Sequence, residues 1–406
     1  MVSRRSPRSC FVNEQTRHRI PFLRRQSDGR RRAVSAGVAV AAGVMLAGVP
    51  APPAAHAAPR PDSVRQSLDA LVRDDGVPGA LAGVKGLDGR SRNYTAGVGD
   101  RATKAKVPVD GQVRIGSNTK AFTAVVVLQL VGEGKIGLDT SVDTYLPGLV
   151  RGKGTDGRAV TVRELLQHTS GLPNYTEFLD DASPYQYFEP RDLLDRALAH
   201  KADFPRGTSW KYSNTNYLVA GLIIQKVTGR PVGEEITRRV IDRIGLRHTY
   251  FPAQGDMTIK ERHPKGYDRE TPDGPLLDLT EMDPSWAWAA GAMVSTNTDL
   301  NRFYAALLGG RLLAPAQLAQ MRTTVPAPYM GVGARYGLGL ASRPLSCGGL
   351  YWGHGGTIPG YLTRGGVTED GRAADIAVTA TMSTAGTQHL DAAVDTALCA
   401  GSRRSG

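Results

Sequence analysis

A long apolar run in the first third of the chain is the feature that most restricts its fold. In this 406-residue sequence the stretch R-I-G-S-N-T-K-A-F-T-A-V-V-V-L-Q-L-V-G-E-G extends from Arg114 to Gly134 and is almost wholly apolar after Lys120. A segment of about four turns with no polar face predicts a helix buried inside a sizeable domain, although its three consecutive valines also suit a strand. We therefore expect one large core organised around this segment.

Two polar residues stand at the start of the predicted helix. Ser117 would lie at its N-terminus, where unpaired backbone N–H groups favour developing negative charge. Lys120 would lie one turn further on the same face, where burial lowers the pKa of an amine toward the range of a useful base. Serine needs such a base to become a nucleophile, so the pair predicts a catalytic Ser-x-x-Lys. The alternative is a helix cap beside a lysine that reaches solvent.

The formal charge of +12 is concentrated in the first 57 residues, which hold 10 of the 50 Lys and Arg residues and only 2 of the 38 acidic ones. The remaining 40 basic and 36 acidic residues leave a net charge of +4. This balance gives no basic stripe, so no nucleic-acid partner is expected.

The basic leader has the pattern of an export signal. Three arginines (residues 30–32) precede a mildly apolar run at 33–49, and Ala55-His56-Ala57 has the form of a cleavage site. The sequence predicts a secreted protein cut near Ala57, by the general or the twin-arginine route, with no stable membrane anchor. The alternative is a retained anchor, for which the run of 17 residues is short.

Two cysteines remain after the leader, Cys347 and Cys399. In an exported protein a pair of cysteines favours a disulfide, and two unpaired buried thiols are the alternative.

The order of predicted elements indicates an α/β fold. Strand patterns occur at 80–84 and 93–98, and again at 336–340, 350–353, 361–365 and 376–382, while the middle of the chain is mostly helical. We expect an antiparallel sheet flanked by helices, built from residues 58–140 and 290–406, with a mainly helical domain inserted at 141–289.

Three further motifs follow in the chain. Tyr212-Ser213-Asn214 precedes an apolar helix, a Trp-Gly-His-Gly-Gly-Thr run at 352–357 follows a strand, and L-L-Q-H-T-S-G-L-P occupies 165–173. Each has a structural explanation by itself: a cap, a strand histidine and a helix end.

In this order and at these separations, the motifs resemble the penicillin-recognising serine hydrolases. The resemblance is closest to secreted serine D-alanyl-D-alanine carboxypeptidases and class C β-lactamases, and it covers about residues 62–399. It implies the β-lactamase/transpeptidase-like fold and the following roles. Ser117 is the acylated nucleophile, and Lys120 and Tyr212 form its base system. His354 bonds toward Tyr212, and the N–H groups of Ser117 and Thr357 form the oxyanion hole. Asn214, Gly355, Gly356 and Trp286 line the substrate cleft, with core packing as the alternative for Trp286.

Two departures from that family concern the substrate carboxylate. The arginine and the threonine that grip it in the carboxypeptidases correspond here to Ala341 and Gly355. A bidentate cation is what a carboxylate site requires. Arg343 lies two residues after Ala341, on the same face of the strand, and is predicted to bind the carboxylate in place of that arginine.

The resemblance implies an acyl-enzyme hydrolase without metal or cofactor, acting as a monomer on peptidoglycan stem peptides or other small acyl donors, with β-lactams as inhibitors or substrates. A D-Ala-D-Ala carboxypeptidase is the expected activity. The alternatives are an esterase, a D-aminopeptidase, a class C-like β-lactamase, or a penicillin-binding sensor without turnover.

Overall fold

The computed structural model describes residues 62–179, 183–271 and 274–400. The predicted export signal at 1–57 lies outside them. Within the described ranges, no helix combines the length and apolarity needed to cross a bilayer. The helices are α1 Ser63–Asp74, α2 Thr119–Gly132, α3 Val142–Tyr145, α4 Val162–Gln167, α5 Pro190–Leu198, α6 Asn214–Thr228, α7 Val232–Ile236, α8 Asp242–Ile244, α9 Trp288–Gly291, α10 Asn297–Leu308, α11 Pro315–Arg322 and α12 Thr384–Cys399.

Strands occur mainly at the two ends of the described chain, with short pairs between. They are β1 Gly79–Lys85, β2 Ser91–Gly97, β3 Val113–Arg114, β4 Arg151–Gly152, β5 Thr155–Asp156, β6 Tyr267–Asp268, β7 Leu277–Asp278, β8 Val294–Ser295, β9 Val325–Pro326, β10 Arg335–Tyr336, β11 Ala341–Pro344, β12 Leu350–Gly353, β13 Gly356–Ile358, β14 Tyr361–Thr368 and β15 Ala373–Val378.

One antiparallel sheet joins the N-terminal and C-terminal parts of the described residues. Its strand order in the described residues is β2-β1-β15-β14-β12-β11-β10-β9, and β13 pairs with β14. The N-terminal hairpin completes the sheet because β1 pairs with β15 from Ala80 opposite Val378 to Lys85 opposite Ala373. Helices α1 and α12 cover one face, and α10 packs on the other. The predicted α/β sheet flanked by helices is confirmed.

The apolar run forms the predicted buried helix. Every residue of α2 from Thr119 to Leu128 is buried, and the ring of Phe122 stacks on Phe303 of α10 with centroids 3.8 Å apart. One core cluster extends from α2 through α6 in the helical middle of the chain to the sheet. The division into two domains at residues 141 and 289 stays a prediction.

The structure differs from the sequence pattern at two places. Of the predicted strand at 336–340, only Tyr336 lies in a strand, β10, and residues 337–340 form the turn to β11, with Gly339 at φ +77°. A Cβ on Gly339 would lie 2.5 Å from the Cβ of Ala124, so the turn presses on α2. In the mostly helical middle of the chain, a π-turn, Thr237–Ile241, lies between α7 and α8. Neither the tight turn nor the π-turn changes the apolar periodicity, which explains why the sequence pattern missed them.

Cys347 and Cys399 form a disulfide that ties the turn before β12 to the end of α12. The two residues are 52 positions apart. Replacing both by serine should lower the free energy of unfolding by about 4 kcal/mol, because the unfolded chain is no longer closed into a loop. Urea unfolding of the two proteins measures the difference. Coincident curves would contradict a stabilising role.

Asp375, in the middle of β15, is fully buried. Its Oδ1 accepts a 2.6 Å bond from Asn297 Nδ2, its Oδ2 has no partner, and desolvation raises its pKa well above the ordinary value. Since the folded state favours the neutral acid, its stabilising contribution is complete below pH about 4 and falls as pH rises toward the folded pKa.

The difference in melting temperature between Asp375→Asn and the native protein should therefore depend on pH. We expect it to shift in favour of the variant by about 2–4 °C as the pH rises from 4 to 8. Asp370→Asn is the matched control, because Arg372 lowers the pKa of Asp370 to about 2. Its relative stability should change in the opposite direction as the pH rises from 2 to 5. A pH-independent difference for Asp375→Asn would contradict the buried neutral acid.

Candidate active site

Ser117 lies in a 3₁₀ turn, Gly116–Asn118, immediately before α2, and not in the first turn of the α-helix. Its side chain is partly exposed, whereas its neighbours on both sides are buried. Gly116 has φ +48°, a conformation that side chains with a Cβ rarely adopt. This strained turn presents the hydroxyl of Ser117 outward from an otherwise closed core.

The buried side chain of Asn118 holds this turn in place through hydrogen bonds. Its Nδ2 donates to Ile115 O at 3.1 Å and to Thr363 Oγ1 at 2.8 Å, and its Oδ1 accepts from Tyr304 OH at 2.7 Å. A fully bonded amide of this kind holds one geometry, because each alternative leaves a buried polar atom unpaired. The position of Ser117 is thereby tied to β14 and α10.

The amine of Lys120 is fully buried and reaches the predicted nucleophile. Its Nζ lies 3.1 Å from Ser117 Oγ, 2.6 Å from Asn214 Oδ1 and 2.8 Å from Ala290 O. The carbonyl of Ala290 can only accept, and the Asn214 amide has its own Nδ2 directed at Asn174 Oδ1, 3.2 Å away. As a cation the amine donates to all three oxygens. As a neutral amine it needs only two N–H groups for Asn214 and Ala290, and its lone pair can then take the proton of the Ser117 hydroxyl.

Tyr212 lies over the same amine. The centroid of its ring is 4.8 Å from Lys120 Nζ, and the ring is half-buried. Tyr212 lies two positions after the buried Trp210, in the segment before α6. The structure thus brings together Ser117, Lys120, Tyr212 and Asn214, which are up to 97 positions apart in the sequence.

His354 is buried at the end of β12, with its ring centroid 6.2 Å from that of Tyr212. Its Nδ1 lies 2.5 Å from Gly355 O and therefore carries the proton, so Nε2 accepts a 3.0 Å bond from Tyr336 OH. Desolvation, followed by the charge of Lys120, lowers the pKa of His354 to about 3. The imidazole is neutral at ordinary pH. Its bond to Tyr336 differs from the predicted bond toward Tyr212.

The backbone of β13 lies against the 3₁₀ turn that carries Ser117, called here the nucleophile turn. A Cβ on Gly116 would be 2.9 Å from Thr357 N, and a Cβ on Gly356 would be 1.9 Å from Ile115 O. Only glycine at both positions allows this approach, which brings the amide of Thr357 next to Gly116, the residue before Ser117. An oxyanion hole formed by the N–H groups of Ser117 and Thr357 requires this close approach of β13, and it stays a prediction.

Trp286 is nearly buried and belongs to the main core cluster. Its carbonyl accepts a 2.5 Å bond from Tyr175 OH. These contacts agree with the alternative of core packing, and a role in lining the substrate cleft stays a prediction.

Arg343 lies on β11 and lines one cavity together with Ala341, His354 and Gly355. Its Nη1 is 2.9 Å from Asp391 Oδ1 on α12. The same carboxylate oxygen lies 3.4 Å from Arg364 Nε. Two arginines therefore share one aspartate beside the predicted cleft.

Arg364 also fills the space that a side chain at position 355 would need. A Cβ on Gly355 would lie 2.7 Å from Arg364 Nη1. Sequence reasoning missed Arg364, because a lone arginine in a strand has no motif. It also missed Tyr336, Asn174 and the carbonyl of Ala290, which come from distant segments. Within the described ranges, no group of three or more His, Cys, Asp and Glu residues has the arrangement of a metal site.

A buried lysine beside an outward-facing serine, with a tyrosine over the amine and backbone amides alongside, defines a serine acyl hydrolase. The sequence matches the Beta-lactamase family over residues 64–399, and the chain belongs to that family. The resemblance to penicillin-recognising serine hydrolases is confirmed.

Several known proteins are similar to this chain. Penicillin-binding protein 4 of Amycolatopsis lactamdurans is 30% identical over 274 residues, which cover 64% of this chain and 69% of that protein. The structure of a D-stereospecific amidohydrolase from Streptomyces sp. is 40% identical, with a TM-score of 0.75, covering 82% of this chain and 97% of the other. A D-amino acid amidase from Ochrobactrum anthropi SV3 is 28% identical, with a TM-score of 0.74, covering 83% and 96%.

Proposed function

We propose that the protein is an amidohydrolase that forms an acyl-enzyme with amides or short peptides of D-amino acids lacking a free carboxylate next to the scissile bond. The observation that carries this proposal is the 2.9 Å ion pair between Arg343 and Asp391. An arginine that is already paired with a carboxylate is a poor anchor for a second one, since that anion would have to displace the first. Ala341 offers no cation at the position where the carboxypeptidases have theirs.

In the proposed reaction Ser117 Oγ attacks the acyl carbon while its proton passes to the Lys120–Tyr212 pair. The amide hydrogens of Ser117 and Thr357 bind the developing oxyanion. The C–N bond then breaks, and the amine leaves with a proton returned from the same pair. Water hydrolyses the ester on Ser117 by the reverse use of these groups, giving the free acid. Asn214 orients the amine of Lys120 and faces the acyl side of the substrate.

The similarity to the Streptomyces D-stereospecific amidohydrolase supports the choice of substrate. That structure is 40% identical over nearly its whole length, and the second amidase is similar over 96% of its chain. The test is the kcat/KM for D-phenylalaninamide, L-phenylalaninamide and an acyl-D-Ala-D-Ala peptide, with Ser117→Ala as the control for contamination. We expect the D-amide to be preferred over its enantiomer by at least about 10²-fold and the dipeptide to be the poorer donor. Equal rates for both enantiomers would contradict the proposal.

A D-Ala-D-Ala carboxypeptidase acting on peptidoglycan stem peptides is the second candidate. The observation that favours it is the excess of one positive charge where Arg343 and Arg364 share Asp391. If this cluster binds the terminal carboxylate, Arg343→Ala and Arg364→Ala should each raise KM for the acyl-D-Ala-D-Ala peptide at least about 10-fold. KM for the D-amide should not change in either variant and serves as the control. An unchanged KM for both donors would exclude this candidate.

Binding of β-lactams is part of both candidates, because a strained cyclic amide is an acyl donor for the same serine. Intact-mass measurement after mixing with benzylpenicillin, with Ser117→Ala alongside, reports the adduct. A lasting adduct without turnover of any amide, ester or peptide would instead favour a penicillin-binding sensor. Rapid consumption of penicillin without a lasting adduct would favour a β-lactamase.

A further inference from the structure

The proposed reaction does not use the histidine of the L-L-Q-H-T-S-G-L-P motif. His168 is fully buried and ends α4 in the left-handed conformation, with φ 62° and ψ 33°. A side chain with a Cβ in this conformation costs about 1 kcal/mol or more, and such strain concentrates at functional sites. The structure therefore retains a strained, buried polar residue at this position.

His168 binds the chain on both sides of Tyr212. Its carbonyl accepts a 3.2 Å bond from the backbone N–H of Lys211. Its Nδ1 accepts a 3.2 Å bond from the backbone N–H of Ser213. Since Tyr212 is the residue between them, the two bonds fix the direction in which its Cα–Cβ bond leaves the backbone.

The imidazole also contacts the Tyr212 side chain. The two ring centroids are 4.4 Å apart with planes tilted by 33°. Rings of Tyr217 and Tyr336 lie 5.3 Å and 4.9 Å from the imidazole on its other sides. The tyrosine that lies over Lys120 is therefore held both by its backbone neighbours and by the packing of its ring.

The imidazole has the properties of a fixed support and not of a proton carrier. Asn216 Nδ2 lies 3.1 Å from Nδ1, so this nitrogen accepts from two donors and the proton is on Nε2. Nε2 is buried and has no hydrogen-bond partner. Desolvation, followed by the charge of Lys120, lowers the pKa of His168 well below its ordinary value, which keeps the ring neutral.

We propose that His168 is a positioning residue for the reaction, which sets the place of the Tyr212 side chain over Lys120 without touching the substrate. The inference rests on the proposed function, because it requires that Tyr212 takes part in proton transfer. It adds a residue to the site whose contribution passes through Tyr212 alone. Two substitutions separate its contacts: His168→Phe keeps a ring and loses the acceptor, and His168→Asn keeps an acceptor near the place of Nδ1 and tolerates the left-handed backbone.

The experiment measures kcat and KM for D-phenylalaninamide, or for the best donor of the native protein, per active site counted by the acylation burst. We expect His168→Phe to lower kcat about 10- to 100-fold with KM changed less than about 3-fold, because a misplaced general base affects the transition state and not ground-state binding. His168→Asn should recover most of the loss. In a Tyr212→Phe background, His168→Phe should lower kcat less than about 3-fold.

Thr379→Val is the matched control for lost buried hydrogen bonds. Its Oγ1 is buried and accepts a 2.9 Å bond from Gly79 N in the sheet, away from Tyr212. This variant should leave kcat per active site unchanged. An equal loss from His168→Phe with and without Tyr212 would overturn the inference and leave the proposed function intact. A native protein that turns over no acyl donor would overturn both.

Discussion

Replacing Lys120 by methionine should lower the rate of acylation at least about 10³-fold while the protein stays folded. The amine lies 3.1 Å from Ser117 Oγ, and methionine keeps the length of the side chain without a nitrogen. General base catalysis contributes about 10²–10⁴ to a rate. Without the amine, the protein no longer has to desolvate a polar group on folding. This gain offsets the cost of leaving Asn214 Oδ1 and Ala290 O unpaired, so the free energy of unfolding should change little.

The measurement is the single-turnover rate with a chromogenic ester, together with the time course of the benzylpenicillin adduct by intact mass. Lys211→Met is the matched control. Lys211 lies next to Tyr212 in the sequence, but its amine points to Asp203, 2.8 Å away. We expect less than about a 3-fold change in that variant. Acylation of Lys120→Met within 10-fold of the native rate would show that another group takes the proton.

Replacing Gly356 by alanine should lower kcat by about 10²–10³-fold. The new methyl group would lie 1.9 Å from Ile115 O and 2.8 Å from Thr363 Oγ1, distances that non-bonded atoms cannot adopt. Strand β13 must then move away from the nucleophile turn, which separates the amides of Ser117 and Thr357. The loss of one oxyanion donor has about this effect on the rate.

Gly132→Ala, at the end of α2, is the control for the Gly356 substitution. Its Cβ would meet only the flexible side chain of Gln317, at 3.4 Å, so activity should be unchanged and stability slightly increased. Steady-state kinetics and thermal unfolding of both variants separate displacement of the strand from loss of the fold. A native kcat in folded Gly356→Ala would mean that the amide of Thr357 does not contribute to the oxyanion hole.

The disagreement between the predicted and observed environment of Arg343 bears on the substrate. The alternation of side chains along a strand correctly places Arg343 on the cavity that Ala341 also lines. It carries no information about α12, which delivers Asp391 from 48 positions further along the chain. The charge of Arg343 is available to a ligand only if no closer group neutralises it. Asp391 is such a group, and it reaches Arg343 because α12 packs against the sheet.

The sequence by itself determined what depends on neighbours a few residues apart. Ser117 and Lys120 meet because three positions are one helical turn, and the largely apolar run after them favours a buried lysine. The pair Cys347 and Cys399 was likewise readable as a possible cross-link.

Only the tertiary structure decided which groups complete the site. The acceptors of the Lys120 amine come from Asn214 and Ala290, the partner of His354 is Tyr336, and His168 reaches the residues on either side of Tyr212. These contacts join segments that are 18 to 170 positions apart. The distances between such segments follow from how α2, α6 and the sheet pack on one another, and local periodicity does not contain that information.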